Sequence, residues 1–263
     1  MIGRAIGLGF STARDFVARG LIRLRVAPNT LTLVGMVVTT AAGVCYALGS
    51  GSRFDPGDPS NGNLLLAGGL LILASACDML DGAVARLSNR KSRFGAFLDS
   101  TLDRYSDFAV FAGVAMHYAM VQPANVTFVL LSMMGFFNAF MVSYAKARAE
   151  DLIPECNVGF WQRGERSTAI LVASFSGNIP ALVLQQAILP FLTALRRVLY
   201  TRAAINGKHP ITDPRLGGWW LKVRLWRWPR RTIPYDLVCA LLIAFLVLAP
   251  VPAWDAIREW AMP

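Results

Sequence analysis

Charge is what this sequence has least of: Asp, Glu, Lys and Arg make up only 16% of its 263 residues, while hydrophobic types make up 55% and the mean hydropathy is +0.46. That balance excludes a soluble domain of this length. The four cysteines, Cys45, Cys77, Cys156 and Cys239, lack the close spacing that a metal site or disulfide framework requires, so they read as small apolar residues. No internal repeat, low-complexity tract or long linker divides the chain. The amino terminus lacks the unbroken apolar core of a cleaved signal, because Arg4, Arg14, Asp15, Arg19, Arg23 and Arg25 interrupt it.

What is present is a series of apolar runs, at 30–49, 63–88, 95–120, 125–148, 166–178, 181–201 and 235–252. Crossing the hydrocarbon layer takes about 20 such residues per helix, and the fifth run is short of that. The pattern predicts an all-α integral membrane protein. Ahead of the runs, residues 1–26 set Ile2, Ile6, Phe10, Phe16, Val17, Leu21 and Leu24 among basic residues, which predicts an amphipathic helix in the membrane interface.

The formal net charge of +10 raises the question of nucleic acid. The placement of the cations answers for topology instead. If the amino terminus is cytoplasmic and each run crosses once, only Arg53 and Arg258 fall outside, while 1–26, 88–94, 146–166 and 202–233 hold nearly all the rest. No nucleic-acid partner is expected from that alternation. Residues 202–263 divide into a basic juxtamembrane stretch and the seventh run. Trp219, Trp220, Trp226 and Trp228 stand there among Lys222, Arg224, Arg227, Arg230 and Arg231, as in a segment resting on the cytoplasmic surface; a solvated basic loop is the alternative.

Five aspartates interrupt the second and third runs, in DMLDGAVARLSNRKSRFGAFLDSTLDRYSD from 78 to 107. An ionisable residue inside a membrane helix needs a partner or a water-filled cavity, which makes it a functional candidate. Asp78 and Asp81 are three apart, with Ala85 and Arg86 near the same helix face; Asp99 and Asp103 are four apart, with Gly95 one turn earlier. If these helices run antiparallel across the turn 88–94, four carboxylates converge at the cytoplasmic end. Converging carboxylates repel unless cations neutralise them, and all-oxygen ligation selects hard ions, so a site for two Mg²⁺, or Mn²⁺, is expected. Gly82 and Ala85 would admit a nucleotide's phosphates close to the helix, and Arg86 would pair with them. The alternative is ion pairing of the aspartates with Arg86, Arg90, Arg93 and Arg104. Asp107 would hold a ligand or Arg104 in place.

Asp78, Asp81, Gly82, Ala85, Arg86, Gly95, Asp99 and Asp103 match the signature D-x2-D-G-x2-A-R-x8-G-x3-D-x3-D, and on those eight residues the chain resembles the CDP-alcohol phosphatidyltransferase family. The resemblance implies a six-helix bundle behind an amphipathic amino-terminal helix, a membrane domain over 27–201 and a homodimer; it does not cover 202–263, where the run at 235–252 is expected as an extra transmembrane helix that departs from the six-helix pattern. It makes Asp78, Asp81, Asp99 and Asp103 metal ligands and Asp103 also the base that deprotonates the acceptor hydroxyl. It assigns Gly82, Ala85, Arg86, Ser92 and Gly95, with Asn29 and Thr32, to the CDP-lipid, CDP-diacylglycerol or an ether analogue. Helix capping is the alternative for Asn29 and Thr32.

Ser143 to Glu150 and Arg163-Gly164-Glu165-Arg166 resemble the branch that makes phosphatidylinositol phosphate or its ether-lipid counterpart. That resemblance implies an acceptor-phosphate pocket of Lys146, Arg166 and Arg197 and inositol 1-phosphate as acceptor. An acceptor carrying its own phosphate needs convergent cations, and glycerol 3-phosphate would use the same ones. The alternative is that Lys146, Arg148, Arg163 and Arg166 only mark the cytoplasmic edge of the fourth and fifth runs. A transporter or a non-enzymatic scaffold is the reading from another class; the chain shows no pair of related halves with broken helices. The expected location is a prokaryotic cell membrane, with the site facing the cytoplasm.

Overall fold

A computed structural model describes residues 2–49, 60–120, 124–207, 226, 228, 230 and 232–249. Among them the regular structure is all helical: α1 (Ile2–Arg23), α2 (Pro28–Leu48), α3 (Ser60–Leu87), α4 (Arg93–Met120), α5 (Val126–Glu150), α6 (Arg163–Ser176), α7 (Ile179–Ile205) and α8 (Ile233–Leu248). Four of these, α2, α3, α5 and α7, are long and apolar enough to cross a membrane. Most of the basic stretch at 202–233, including Trp219, Trp220, Lys222 and Arg224, lies outside the described residues, as does 250–252 of the seventh run.

The apolar runs become helices because each begins at a break the sequence supplies. Pro28 occupies the first position of α2 and Pro180 the second of α7, where a missing N–H costs nothing. Asn125 and Asn178 accept from the backbone N–H of Phe128 and Ala181 and so cap α5 and α7. Gly177 closes α6 in the left-handed conformation, at a φ of 72°. With 14 residues α6 is only about 21 Å long, short of the roughly 30 Å hydrocarbon layer.

Helix α2 is the hub of one half, packing on both α3 and α4, while α5 packs on α7 and α4, and α6 joins α3 to α7. A core of Tyr46, Leu64, Val110, Val114, Phe128, Trp161, Ile179 and Leu182 runs through the bundle. Large apolar side chains such as Val37, Phe97, Leu130, Phe137 and Phe191 point outward instead, as lipid-facing residues do. Helix α1 lays Ala18, Leu21 and Ile22 against Ala83, Val84 and Leu80 of α3, so the amphipathic helix touches the acidic helix directly.

Helices α2 and α4 meet backbone to backbone. A Cβ on Gly113 would lie 2.0 Å from the Gly43 carbonyl oxygen, and one on Gly43 would lie 2.4 Å from that of Ala109. Only glycine fits there. Replacing Gly113 by Val is therefore expected to force the helices apart and destabilise the fold by about 1–3 kcal/mol or more, read as a lower melting temperature in detergent. An unchanged melting temperature would contradict this packing.

Candidate metal centre and active site

The turn between the acidic helices is built by local chemistry. Asn89 takes a left-handed φ of 55° and ends α3, while the Arg90 N–H reaches back to the Ala85 carbonyl at 3.0 Å. Ser92 then starts α4 by accepting from the Gly95 N–H at 2.9 Å. Asn29 Oδ1 lies 3.4 Å from where a Cβ on Gly95 would be, so Asn29, Ser92 and Gly95 sit together at the start of α4. Capping is thus part of what Ser92 does, whereas Asn29 caps nothing: the N-cap of α2 is Ala27, without a side-chain bond.

Helices α3 and α4 run from that turn with little direct contact, since both lean on α2. The gap between them holds the site. Asp78, Asp99 and Asp103 each offer a carboxylate oxygen, and these atoms lie within 4.8 Å of one another. Asp99 Oδ1 is buried without a hydrogen-bond partner among the described residues. An all-oxygen trio with one desolvated, unpartnered oxygen fits a hard divalent cation and does not suit a soft one. Asp81 stands apart from the trio: it is buried and accepts from Thr32 Oγ1 of α2 at 2.7 Å. Thr32 thereby orients a signature aspartate, a role its position near the start of α2 did not disclose.

Beside the trio opens a cavity of about 320 Å³, lined among others by Thr32, Asp78, Asp103, Ser106, Asp107 and Arg163. Its cationic wall comes from α6. Arg163 Nη2 lies 2.5 Å from Asp103 Oδ1 and 3.3 Å from Asp78 Oδ1. Arg104 adds weaker contacts, 3.7 Å to Asp103 and 3.6 Å to Asp107, and donates to Ser143 Oγ on α5. Ion pairing of the aspartates is therefore real, but among the described residues its chief partner is Arg163, more distant in sequence than Arg86, Arg90 or Arg93. Arg86 is exposed, one turn beyond Gly82. Arg163 was missed as a partner because 60 residues separate it from Asp103; its signal was its place in the Arg163–Arg166 stretch that opens α6.

The three cations expected around an acceptor phosphate go to different places. Arg166 is 2% exposed and donates to Asp107 at 3.1 Å, adjoining the cavity wall. Lys146 Nζ donates to Asn157 Oδ1 at 2.9 Å and lies 3.6 Å from Glu150. Arg197, 3% exposed, donates to the carbonyls of Val158 and Val142 and so clamps the 151–162 loop to α5 and α7. Neither Lys146 nor Arg197 lines the cavity, and Arg163 does.

A model of the CDP-alcohol phosphatidyltransferase family matches residues 25–212, which contain the trio, Asp81 and the whole cavity wall. The chain belongs to that family. Members are phosphatidyltransferases, and this chain is one such enzyme. Among its relatives is the archaetidylinositol phosphate synthase of Methanothermobacter thermautotrophicus, 36% identical over 194 residues, 71% of this chain and 89% of the relative. The phosphatidylinositol phosphate synthase of Cutibacterium acnes is 33% identical over 167 residues, 63% of this chain and 73% of that one. Among solved structures, the phosphatidylinositol phosphate synthase of Mycobacterium tuberculosis with CDP-DAG bound superposes with a TM-score of 0.62 at 27% identity, covering 76% of this chain and 98% of that one. The same enzyme in complex with manganese and citrate gives 0.61 at 26%, covering 72% and 88%.

Proposed function

We propose that this phosphatidyltransferase moves a phosphatidyl-type group from CDP-diacylglycerol, or its ether analogue, to the hydroxyl of inositol 1-phosphate, releasing CMP. The observation that carries the reading is one cavity lined by Asp78 and Asp103 of the carboxylate trio and by Arg163 of α6, with Arg166 one turn behind. A donor with a pyrophosphate calls for the first, and an acceptor with its own phosphate calls for the second. The names of the relatives point to the same acceptor.

Asp78, Asp81, Asp99 and Asp103 would hold two Mg²⁺ ions, with Mn²⁺ as a substitute. Bound there, the ions supply neutralisation of the pyrophosphate and of the charge on the departing CMP oxygen. The chain's own residues do the rest. Asn29, Ser92 and Gly95 at the start of α4, with Gly82, Ala85 and Arg86 along α3, would receive the cytidine diphosphate. Arg163 exchanges its two carboxylates for the acceptor phosphate, which frees Asp103 Oδ1 to take the hydroxyl proton. The acceptor oxygen bonds to the lipid-side phosphorus as the bond to CMP breaks. Arg166 holds the phosphate from behind, Lys146 would reach it on leaving Asn157 and Glu150, and Arg197 keeps the 151–162 loop in place.

Six helices, α2 to α7, would form the bundle with α8 as an extra span, the site would face the cytoplasm of a prokaryotic cell, and two chains would pair. A panel of acceptors tests the central claim. Inositol 1-phosphate is expected to give a phosphatidylinositol phosphate by mass spectrometry, with free inositol and serine inactive. Preference for glycerol 3-phosphate would replace the acceptor, and no CMP release with any alcohol would favour a transporter or scaffold.

A further inference from the structure

The family match ends at residue 212, so Trp226, Arg230, Tyr235 and α8 belong to an extension beyond it. That extension grips the turn that carries Arg163. On one side Phe160 packs between Trp226, at 5.0 Å edge-to-face, and Tyr235, at 5.3 Å between ring centroids. On the other side Glu165 Oε1 accepts from Arg230 Nε at 3.1 Å, from Arg230 Nη2 at 2.9 Å and from the Tyr235 hydroxyl. Between them, a Cβ on Gly164 would lie 3.2 Å from Arg230 Nη2, so the guanidinium rests on the backbone next to Arg163. Gly164 lines the catalytic cavity on one face and a second cavity, of about 250 Å³, against α8 on the other.

A side chain such as Glu165, only 7% exposed, is stable in that place only while its charge is met. Its other oxygen, Oε2, is buried and unpartnered among the described residues, so Oε1 and its two donors carry that burden alone. Farther along, Ser176, Asn178 and Gln185 donate to the Leu246, Ala249 and Leu242 carbonyls, which docks α8 along α6 and α7. Arg163 and Arg166 flank the gripped residue at two places before and one after it.

We infer that the carboxy-terminal extension is a positioning brace for the acceptor side of the active site, with Arg230 and Tyr235 setting through Glu165 where Arg163 and Arg166 point. This rests on the reading of those two arginines as acceptor-phosphate contacts. Arg230 and Tyr235 are positioning residues and touch no substrate. Small displacements of a binding group are costly, so losing the brace is felt by the acceptor and not by the CDP-lipid.

The test is steady-state kinetics on the purified full chain, varying inositol 1-phosphate and CDP-diacylglycerol separately. Arg230→Ala is expected to raise the acceptor KM about 10- to 100-fold and to leave the CDP-lipid KM unchanged. Arg230→Lys, which keeps the charge, is expected to restore most of the loss, and Leu241→Ala on the exposed face of α8 to change neither constant. If Arg230→Ala does not fold, Tyr235→Phe, which removes one hydroxyl and no ring volume, must show the same split. Unmoved acceptor KM in a folded variant overturns the brace, and so does an equal rise for both substrates. Arg166→Ala in the same assay separates the two claims. If it raises acceptor KM while Arg230→Ala does not, only the brace fails; if it leaves acceptor KM unmoved, the acceptor reading fails and takes the brace with it.

Discussion

Asp103→Asn is expected to slow transfer by about 10²- to 10⁴-fold while leaving the protein folded, the loss that follows removal of a general base. Several features of the site predict a large effect and a clean one. Asp103 projects from α4 one turn after Asp99, its side chain is 12% exposed, and its Oδ1 is the atom nearest to Arg163. Asparagine fills the same volume and keeps one oxygen, so the helix contacts survive. Arg163 keeps Asp78 as a partner at 3.3 Å, so the cation is not stranded. What is lost is the negative charge and the capacity to accept a proton. CMP release, with size-exclusion behaviour as the folding control, measures it. Turnover within about tenfold of the parent would remove Asp103 from the base role.

Removing divalent cations with EDTA is expected to stop transfer altogether, and readdition of Mg²⁺ or Mn²⁺ to restore it. Three carboxylates whose ligand atoms lie within 4.8 Å cannot all remain ionised against a phosphate substrate without cations between them. Arg163 meets Asp78 and Asp103, which leaves the buried Asp99 oxygen unmet. Asp99→Asn should therefore raise the metal concentration for half-maximal activity by at least about 10- to 100-fold, the loss typical of mere outer-shell partners. Asp81→Asn divides two pictures. A ligand role predicts a shift as large as that of Asp99→Asn, whereas a role confined to its bond with Thr32 predicts a much smaller one. Full activity in EDTA would refute the metal site.

The residues nearest in sequence were the easiest to place. Asp78 to Asp103 fall within one helix–turn–helix, so periods of three and four and a short turn suffice to bring them together. Three of the four expected carboxylates offer ligand atoms within 4.8 Å of one another, while Asp81, on the same helix as Asp78, accepts from Thr32 of α2, a partner that its own helix does not supply. Cations recruited from afar were harder. Charge and resemblance selected Lys146, Arg166 and Arg197, yet Arg197 donates to two backbone carbonyls, Val158 in the 151–162 loop and Val142 in α5. Nothing local distinguishes such an arginine from one that meets a phosphate.

Aspartates in apolar helices were the first sign of function here, and composition and spacing by themselves determined a helical membrane protein with clustered carboxylates on the two helices that flank one turn. Both follow from local rules: the cost of charge in hydrocarbon and the 3.6-residue period. Tertiary structure alone decided that Arg163 faces the trio, that Thr32 holds Asp81, and that Arg230 and Tyr235 reach Glu165. Each of those contacts joins residues 49 or more positions apart. Their meeting depends on which helix leans on which, and that is settled by packing, such as the Gly43–Gly113 contact, which no single segment encodes.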